Sequence, residues 1–264
     1  MTRALVTLII IETRMAGHSQ FKNIMHRKGK QDAQRARLFA RFSREITVAA
    51  KTGTPDPDLN PRLRLAIQNA RAENMPRDNI ERALKKALGA DTANYEAVRY
   101  EGYGPGGVAI MIETLTDNRN RTGGEVRATL TKHGGNLGAT GAVSHGFSHA
   151  GEIVFKADVG SADVVLEAAI EAGADDVTSD DTLGHTITTS FESLSTVAQT
   201  LQTRLGMPQS VKVIWTPNLM TTVEGDTAEI NLKLMEMLED LDDVQAVFSN
   251  MVIDAATLAE LAAT

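Results

Sequence analysis

Residues 95–122 read YEAVRYEGYGPGGVAIMIETLTDNRNRT, and this stretch decides the fold of the larger part of the chain. Two runs with β-strand character, 97–101 and 108–115, flank a glycine-rich segment. That segment matches the GxGxxG spacing of dinucleotide-binding loops, which need a helix directly after the glycines. Here Pro105 lies inside the segment and the β-like run VAIMIETL follows it, so we predict a hairpin turn.

Strand and helix patterns alternate from this hairpin towards the carboxyl terminus. Several helix patterns end at glycines, as is common at helix termini. The predicted helices are 121–132, 161–172, 193–205 and 226–241, and the predicted strands are 151–155, 185–190, 211–215 and 244–253. Short β and α units joined by tight turns indicate an α+β fold with antiparallel sheets. Their order is compatible with two ferredoxin-like units.

Ahead of the hairpin, three helices are predicted in place of strands. Residues 31–51 have an amphipathic pattern whose apolar side contains Leu38, Phe42, Ile46 and Ala49. A second helix begins after Asn60, which is followed by proline at the first helical position. A third helix has the capping-box spacing of Asp78 and Glu81 and ends at Gly89. These helices predict a small amino-terminal helical domain.

Residues 1–14 contain an apolar run from Ala4 to Ile11. The run is too short to span a bilayer, because a spanning helix needs about 20 residues. It also lacks the cleavage site of a secretory signal. We interpret these residues as an extension, with Met15 as the start of the folded protein, and we predict no membrane association.

Charge is distributed very unevenly along the chain. Residues 15–88 contain 16 lysines and arginines against 7 acidic residues, whereas residues 89–264 contain 9 against 26. This asymmetry predicts that the basic segment faces a polyanion while the acidic remainder repels it. The alternative is two differently charged domains without such a partner. The chain has no cysteine, which excludes disulfides and thiolate chemistry.

The basic segment presents two groups of candidate nucleic-acid ligands. At 100° per residue, five cations share the side opposite the apolar face of the first helix: Lys30, Arg37, Arg41, Arg44 and Lys51. An arm ahead of that helix adds Phe21, Lys22, His26, Arg27 and Lys28. Phe21 or His26 is available to stack on a base. Because no base-reading motif is recognisable, we predict binding to the nucleic-acid backbone that weakens with salt.

A third candidate lies between a predicted strand and the helix 121–132. Asn118-Arg119-Asn120-Arg121 places two guanidiniums and two amides at a helix amino terminus, where Arg119 and Arg121 could hold a phosphate. The alternative is a capped turn with an exposed Arg121. The two interpretations remain equally open at this point.

Residues that would support catalysis or metal binding are not grouped convincingly. His145 and His149 have the i, i+4 spacing of helical metal ligands, but the glycines around them disfavour a helix. The acidic pairs at 175–176, 180–181 and 242–243 are typical of solvated loops and helix ends. We therefore predict that the protein is not an enzyme and uses no metal, no cofactor and no small-molecule substrate.

Several segments together resemble the YebC/PmpR family, which includes mitochondrial translational activators of cytochrome oxidase. The resemblance runs from Met15 almost to the end of the chain. The segments that carry it are MAGHS at 15–19, NIMHRKGKQDAQR at 23–35, REITVAAKTG at 44–53, NPRLRLAI at 60–67, NMPRDNIERA at 74–83, residues 95–122, KHGGNLG at 132–138, TTVEGD at 221–226 and LEDLDDVQAVFSN at 238–250.

The resemblance implies a three-domain fold in which the third domain is inserted into the second. The implied domains are a basic helical domain at 15–90, an α+β domain at 91–135 plus 206–264, and an inserted α+β domain at 136–205. It also implies a cytoplasmic regulator of gene expression, either a ribosome-associated translation factor that binds ribosomal RNA or a DNA-binding transcriptional regulator. The absence of a base-reading motif and the acidic remainder slightly favour structured RNA.

Two other functions remain as alternatives. The acidic helix 226–241 suits a protein-interaction module that does not bind nucleic acid directly. An enzyme that acts on RNA is the less favoured alternative, because neither a cofactor loop nor a metal set is recognisable.

Overall fold

The computed structural model describes residues 31–89, 94–180, 184–254 and 256–258. The described chain divides into two units, each with its own internal packing. The first unit comprises residues 31–37, Asn94–Ser148 and 216–258, and the second comprises residues 38–89 and His149–Trp215.

Among the described residues, three helices precede the first strand, at the positions that the sequence predicts: α1 (Gln31–Thr52), α2 (Pro61–Ala72) and α3 (Arg77–Leu88). Asn60 caps α2 by accepting a hydrogen bond from the backbone N–H of Leu63. The predicted capping box of α3 is wrong, because α3 begins one residue after Pro76 and Asp78 lies inside its first turn. Apolar side chains from all three helices form one core, which includes Ile46, Leu63, Ile67 and Ile80.

The glycine-rich segment forms the predicted turn between β1 (Glu96–Tyr103) and β2 (Ala109–Thr116), which pair in antiparallel register. The backbone N–H of Gly104 donates to the carbonyl of Val108 at 2.8 Å, which closes the turn. Gly106 and Gly107 both have φ of 77°, a left-handed conformation that favours glycine. The glycines therefore shape a hairpin. The chain continues through α4 (Arg119–Lys132) and β3 (Asn136–Leu137).

The next six elements form a βαββαβ unit. They are β4 (Phe147–Phe155), α5 (Ala162–Ala172), β5 (Asp176–Asp180), β6 (Gly184–Ser190), α6 (Leu194–Leu205) and β7 (Ser210–Pro217). Their sheet has the strand order β5-β6-β4-β7, which is the ferredoxin-like arrangement. Both helices contribute to its core with Val165, Ala169, Val197 and Leu201. The strand β5 was not predicted, because its sequence DVTSD has the polar composition of a loop.

The described chain continues with β8 (Thr221–Val223), α7 (Gly225–Glu239), β9 (Val244–Ser249) and β10 (Met251–Ile253). The predicted single strand 244–253 is wrong, because Asn250 interrupts it. The Asn250 side chain accepts from the N–H of Ala109 and donates to the hydroxyl of Thr221. As a result β9 completes a sheet of order β3-β1-β2-β9, while β10 pairs with β8 in parallel. The α+β fold class predicted from the sequence is confirmed.

The sheets divide the chain at positions different from the predicted domain limits. Residues 136–137 were assigned to the inserted domain, but β3 pairs with β1 of the first sheet. Residues 206–217 were assigned to the surrounding domain, but β7 is the edge strand of the inserted sheet. Both limits therefore lie about ten residues further along the chain, at Ser148 and Trp215.

The second unit contains a direct connection between the helical segment and the inserted sheet. The side-chain amide of Asn69, on α2, donates to the carbonyl of Val211 at 3.0 Å and accepts from its N–H at 3.2 Å. Leu65, one turn earlier on α2, packs against the core of the sheet. Val211 lies on β7, whose outer edge would otherwise present unpaired backbone groups. Asn69 thus satisfies two of these groups with one side chain.

A buried carboxylate fixes the segment that follows β3. Glu101, on β1, is only 3% exposed and accepts hydrogen bonds from the backbone N–H groups of Gly141, Val143 and Ser144 at 3.0, 2.7 and 2.9 Å. Burial opposes ionisation, but these hydrogen bonds outweigh it, so the pKa of Glu101 lies below its ordinary value. The carboxylate therefore stabilises the fold in its charged form.

We expect Glu101→Gln to lower the free energy of unfolding by about 3 kcal/mol at pH 7, because an amide NH2 would face N–H donors. The depressed pKa gives the wild type a stability contribution that is complete above the unfolded value of about 4.3 and is lost as the pH falls towards the folded value. Urea unfolding between pH 3 and 7 measures both effects.

The glutamine variant should lose less stability on acidification than the wild type. Glu229→Gln, an exposed change on α7 of the same unit, should alter stability by less than about 0.5 kcal/mol. Equal stability of E101Q and E229Q at pH 7 would contradict the role assigned to Glu101.

Candidate nucleic-acid interface

Helix α1 carries four of the five cations predicted to form a stripe, and their surroundings differ. Arg37 and Lys51 are exposed, while Arg41 and Arg44 are half-buried. Between Arg44 and Lys51, the five consecutive residues 46–50 are all buried. Five residues exceed one helical turn, so the helix is covered on every side there. The prediction of one continuous stripe is therefore wrong, because α1 is enclosed by neighbouring elements over that turn.

Arg37 has a partner that the sequence did not reveal. Its guanidinium forms a hydrogen-bonded ion pair with the carboxylate of Asp240, which lies 203 positions further along the chain, just after α7. Both side chains remain partly exposed, so the pair contributes little to stability. It does offset the charge of Arg37. The helix cations within the second unit are therefore Arg41, Arg44 and Lys51.

The arm residues lie outside the described part of the chain. These are Phe21, Lys22, His26, Arg27 and Lys28. The fifth cation predicted for the helix, Lys30, also lies outside that part, and the roles of all six residues remain predictions.

The two arginines at the start of α4 are held by carboxylates. Arg121 forms ion pairs with Asp117 at 2.9 Å and Asp243 at 2.6 Å, and its pKa is raised by these hydrogen bonds. Arg119 lies 3.7 Å from Glu96. Asn118 caps the helix by accepting from the N–H of Arg121 at 3.1 Å. This geometry favours the capped turn over the phosphate site, because carboxylates already occupy the guanidiniums.

Asp243 is the centre of this network. It is 3% exposed, and its Oδ2 accepts from the hydroxyl of Thr122 at 2.6 Å as well as from Arg121. The Thr122 hydroxyl also lies 2.7 Å from that of Thr116, at the end of β2. Burial opposes ionisation, but hydrogen bonds from Thr122, Arg121 and Thr116 outweigh it and lower the pKa of Asp243. The network joins β2, α4 and the turn before β9.

The exposed cations of the helical segment that were not predicted as ligands include two at the end of α3. Lys85 and Lys86 lie in the last turn of α3. Cations are common at this position because they complement the helix dipole, so the sequence alone gave no reason to single them out.

The two histidines considered as metal ligands have separate surroundings. His145 lies in a short 3-10 helix with its Nδ1 3.5 Å from the carbonyl of Gly141, whereas the ring of His149 contacts that of Trp215. Within the described ranges, no group of three or more histidine or acidic side chains is arranged to hold a metal ion. No helix among the described residues is long and apolar enough to cross a membrane.

Two family models match almost the whole described chain. The TACO1/YebC protein N-terminal domain matches residues 19–90, and the TACO1/YebC second and third domain matches residues 95–251. The chain belongs to the TACO1/YebC family. The resemblance predicted from the sequence is thereby confirmed. Members of the family are, in general, regulatory proteins associated with nucleic acids, and the family is not known for enzymes.

A solved structure shows the same fold. The chain is 46% identical to a conserved hypothetical protein from Aquifex aeolicus, with a TM-score of 0.81. The similarity covers 88% of this chain and 96% of that protein. The TACO1/YebC N-terminal match contains α1, α2 and α3, so the helix cations lie in a domain defined by the family.

We expect Asp243→Ala to lower the free energy of unfolding by about 2–3 kcal/mol, because the Thr122 hydroxyl and Arg121 lose their buried acceptor. Asp117→Ala is the matched control, since Asp117 also pairs with Arg121 but is exposed. Its effect should stay below about 1 kcal/mol. Thermal unfolding measures both variants, and a larger loss for D117A than for D243A would contradict the network.

Proposed function

We propose that this chain is a regulator of gene expression that docks on structured RNA through the cations of α1. The observation that supports the proposal is the placement of Arg41, Arg44 and Lys51 on one helix whose apolar residues contribute to the core of the domain. Arg41 and Arg44 are three positions apart, and Lys51 follows about two turns after Arg44, so all three point to one side of the helix. The buried residues 46–50 divide them into an arginine pair and a separate lysine. Phosphates spaced along an RNA backbone suit such an array.

The inserted sheet supports backbone contacts over base readout. RNA-recognition modules with the βαββαβ order stack bases on aromatic side chains of the open sheet face. Here the residues on that face of the two central strands are small, polar or aliphatic: Ala150, Glu152, Val154, Thr186, Thr188 and Ser190. Without aromatic rings on these positions, the open face has no platform for bases.

The charge balance of the remainder favours RNA over a wrapped DNA duplex. Residues 89–264 contain 26 acidic residues against 9 basic ones, so they repel a polyanion that extends past the helical domain. A local contact with folded RNA avoids this repulsion. We therefore propose a translation factor that acts at the ribosome, with ribosomal RNA as the polyanion.

The protein-interaction alternative rested on the acidic helix 226–241. That helix is α7, and one face of it is built into the core through Ala228, Leu232, Met235 and Leu238. Only its outer residues, such as Asp226, Glu229 and Glu236, are exposed. The core therefore occupies the apolar face of α7, and the exposed side carries Ile230 among mostly charged residues, which favours the RNA-binding proposal.

The test neutralises the three cations together, as R41Q/R44Q/K51Q in the full chain. Binding to a hairpin from ribosomal RNA is measured by fluorescence anisotropy across a salt series. We expect the affinity to fall at least ten-fold. The slope of log affinity against log salt should decrease by roughly two to three, since each phosphate contact contributes about 0.7 to 0.9.

The matched control removes the same number of positive charges from other positions in the helical segment. In R62Q/R64Q/R77Q, Arg62 pairs with Glu45 and Arg77 with Glu81, both at 2.8 Å, while Arg64 donates to backbone carbonyls. This variant should keep most of the salt slope. An equal loss in both triple variants would exclude α1 as the docking surface. Tighter binding to a DNA duplex of equal length at equal salt would favour the transcriptional alternative.

A further inference from the structure

Three rings meet at one end of the inserted sheet, at a place not assigned to nucleic acid. His149, on β4, contacts Trp215 of β7 with ring centroids 3.6 Å apart and the ring planes tilted by 44°. Phe191, directly after β6, lies 5.4 Å from His149. The strand register explains the meeting, because Ala150 pairs with Ser190 and the next residues outward are His149 and Phe191. We refer to His149, Phe191 and Trp215 as the ring cluster.

The ring cluster is open to solvent. Phe191 is 46% exposed, His149 is exposed and Trp215 is half-buried. Val213, on the same strand as Trp215, is 38% exposed. Single exposed apolar residues are ordinary, but a contiguous group of rings is typical of binding surfaces. The cluster therefore marks a site for a ligand that stacks on aromatic faces.

Charge decides which ligand suits this surface. Residues 149–215 contain ten acidic residues against three basic ones, and Glu192 directly follows Phe191. A nucleotide whose base stacked here would bring its phosphates into this acidic field and be repelled. A cation would be attracted instead, and aromatic faces bind cations within about 6 Å of the ring centroid.

We propose that the ring cluster receives an arginine side chain from a segment of a partner protein. A guanidinium is planar and weakly hydrated, so it stacks on rings more readily than the compact ammonium of lysine. Glu192 supplies a carboxylate for its N–H groups, which form bidentate pairs with such acceptors. Tryptophan and arginine are also the residues most often found at the energetic centres of protein interfaces. The inserted domain is thus a protein-binding surface, separate from the RNA-binding helix.

The single tryptophan of the chain gives a direct measurement. Fluorescence of Trp215 in the full chain is followed as a short Gly/Ser peptide with two arginines is added. Parallel titrations use the same peptide with lysine or glutamine in place of arginine, and oligoadenylate. We expect a saturable change with the arginine peptide, a change at several-fold higher concentration with lysine, and none with glutamine or oligoadenylate.

Two variants and two matched controls assign the binding to the ring cluster. Phe191→Ala and Glu192→Gln should each raise the Kd of the arginine peptide about five-fold, which corresponds to about 1 kcal/mol. Ile170→Ala and Glu167→Gln remove an exposed apolar group and an exposed charge from α5 of the same domain, and should leave the Kd within two-fold. Circular dichroism confirms that all four variants are folded.

Three results would overturn the proposal. The first is an arginine peptide that leaves Trp215 fluorescence unchanged. The second is a loss of binding in the α5 controls as large as that in F191A. The third is tighter binding of oligoadenylate than of the arginine peptide. The last result would assign the ring cluster to nucleobases. RNA binding through α1 is measured separately, so the two proposals fail independently.

Discussion

The Glu101 carboxylate is the interaction on which the path of the chain depends. A charged group in a nearly closed interior is costly unless every part of it is satisfied. Here the segment after β3 supplies three N–H donors, and those donors have no strand partners of their own. The Glu101 backbone carbonyl also accepts from the N–H of Gly138 at 2.7 Å. One residue therefore holds the start and the end of the segment that leads from the first sheet towards β4.

Local chemistry explains most of what the sequence predicted. The hairpin, the helix periods and the caps depend on neighbours within about five positions. The Asn60 cap, the turn at Gly104 and five of the six elements of the inserted unit follow from such patterns. The acidic strand β5 was missed because its pairing with β6, rather than its own composition, makes it a strand. The break at Asn250 was missed for a related reason, since its partners come from two distant strands.

Prediction of the candidate interface was limited in the same way, by partners that are distant along the chain. Helix geometry places the cations of α1 on one side, and that much follows from spacing alone. Which of them meet solvent depends on the elements packed around residues 46–50 and on Asp240, far along the chain. The carboxylates around Arg121 converge in the same way, with Asp243 arriving 122 positions later. Spacing identifies the residue types, but tertiary packing decides which charges stay available to a ligand.

The bond between Asn69 and Val211 has a consequence for synthesis of the chain. Asn69 leaves the ribosome 142 residues before its partner Val211, and the earlier parts of a chain generally fold first during synthesis. An edge strand is the part of a new sheet most prone to pair with another chain. In this protein the last strand of the insert, β7, is therefore synthesised after the Asn69 side chain that satisfies its edge.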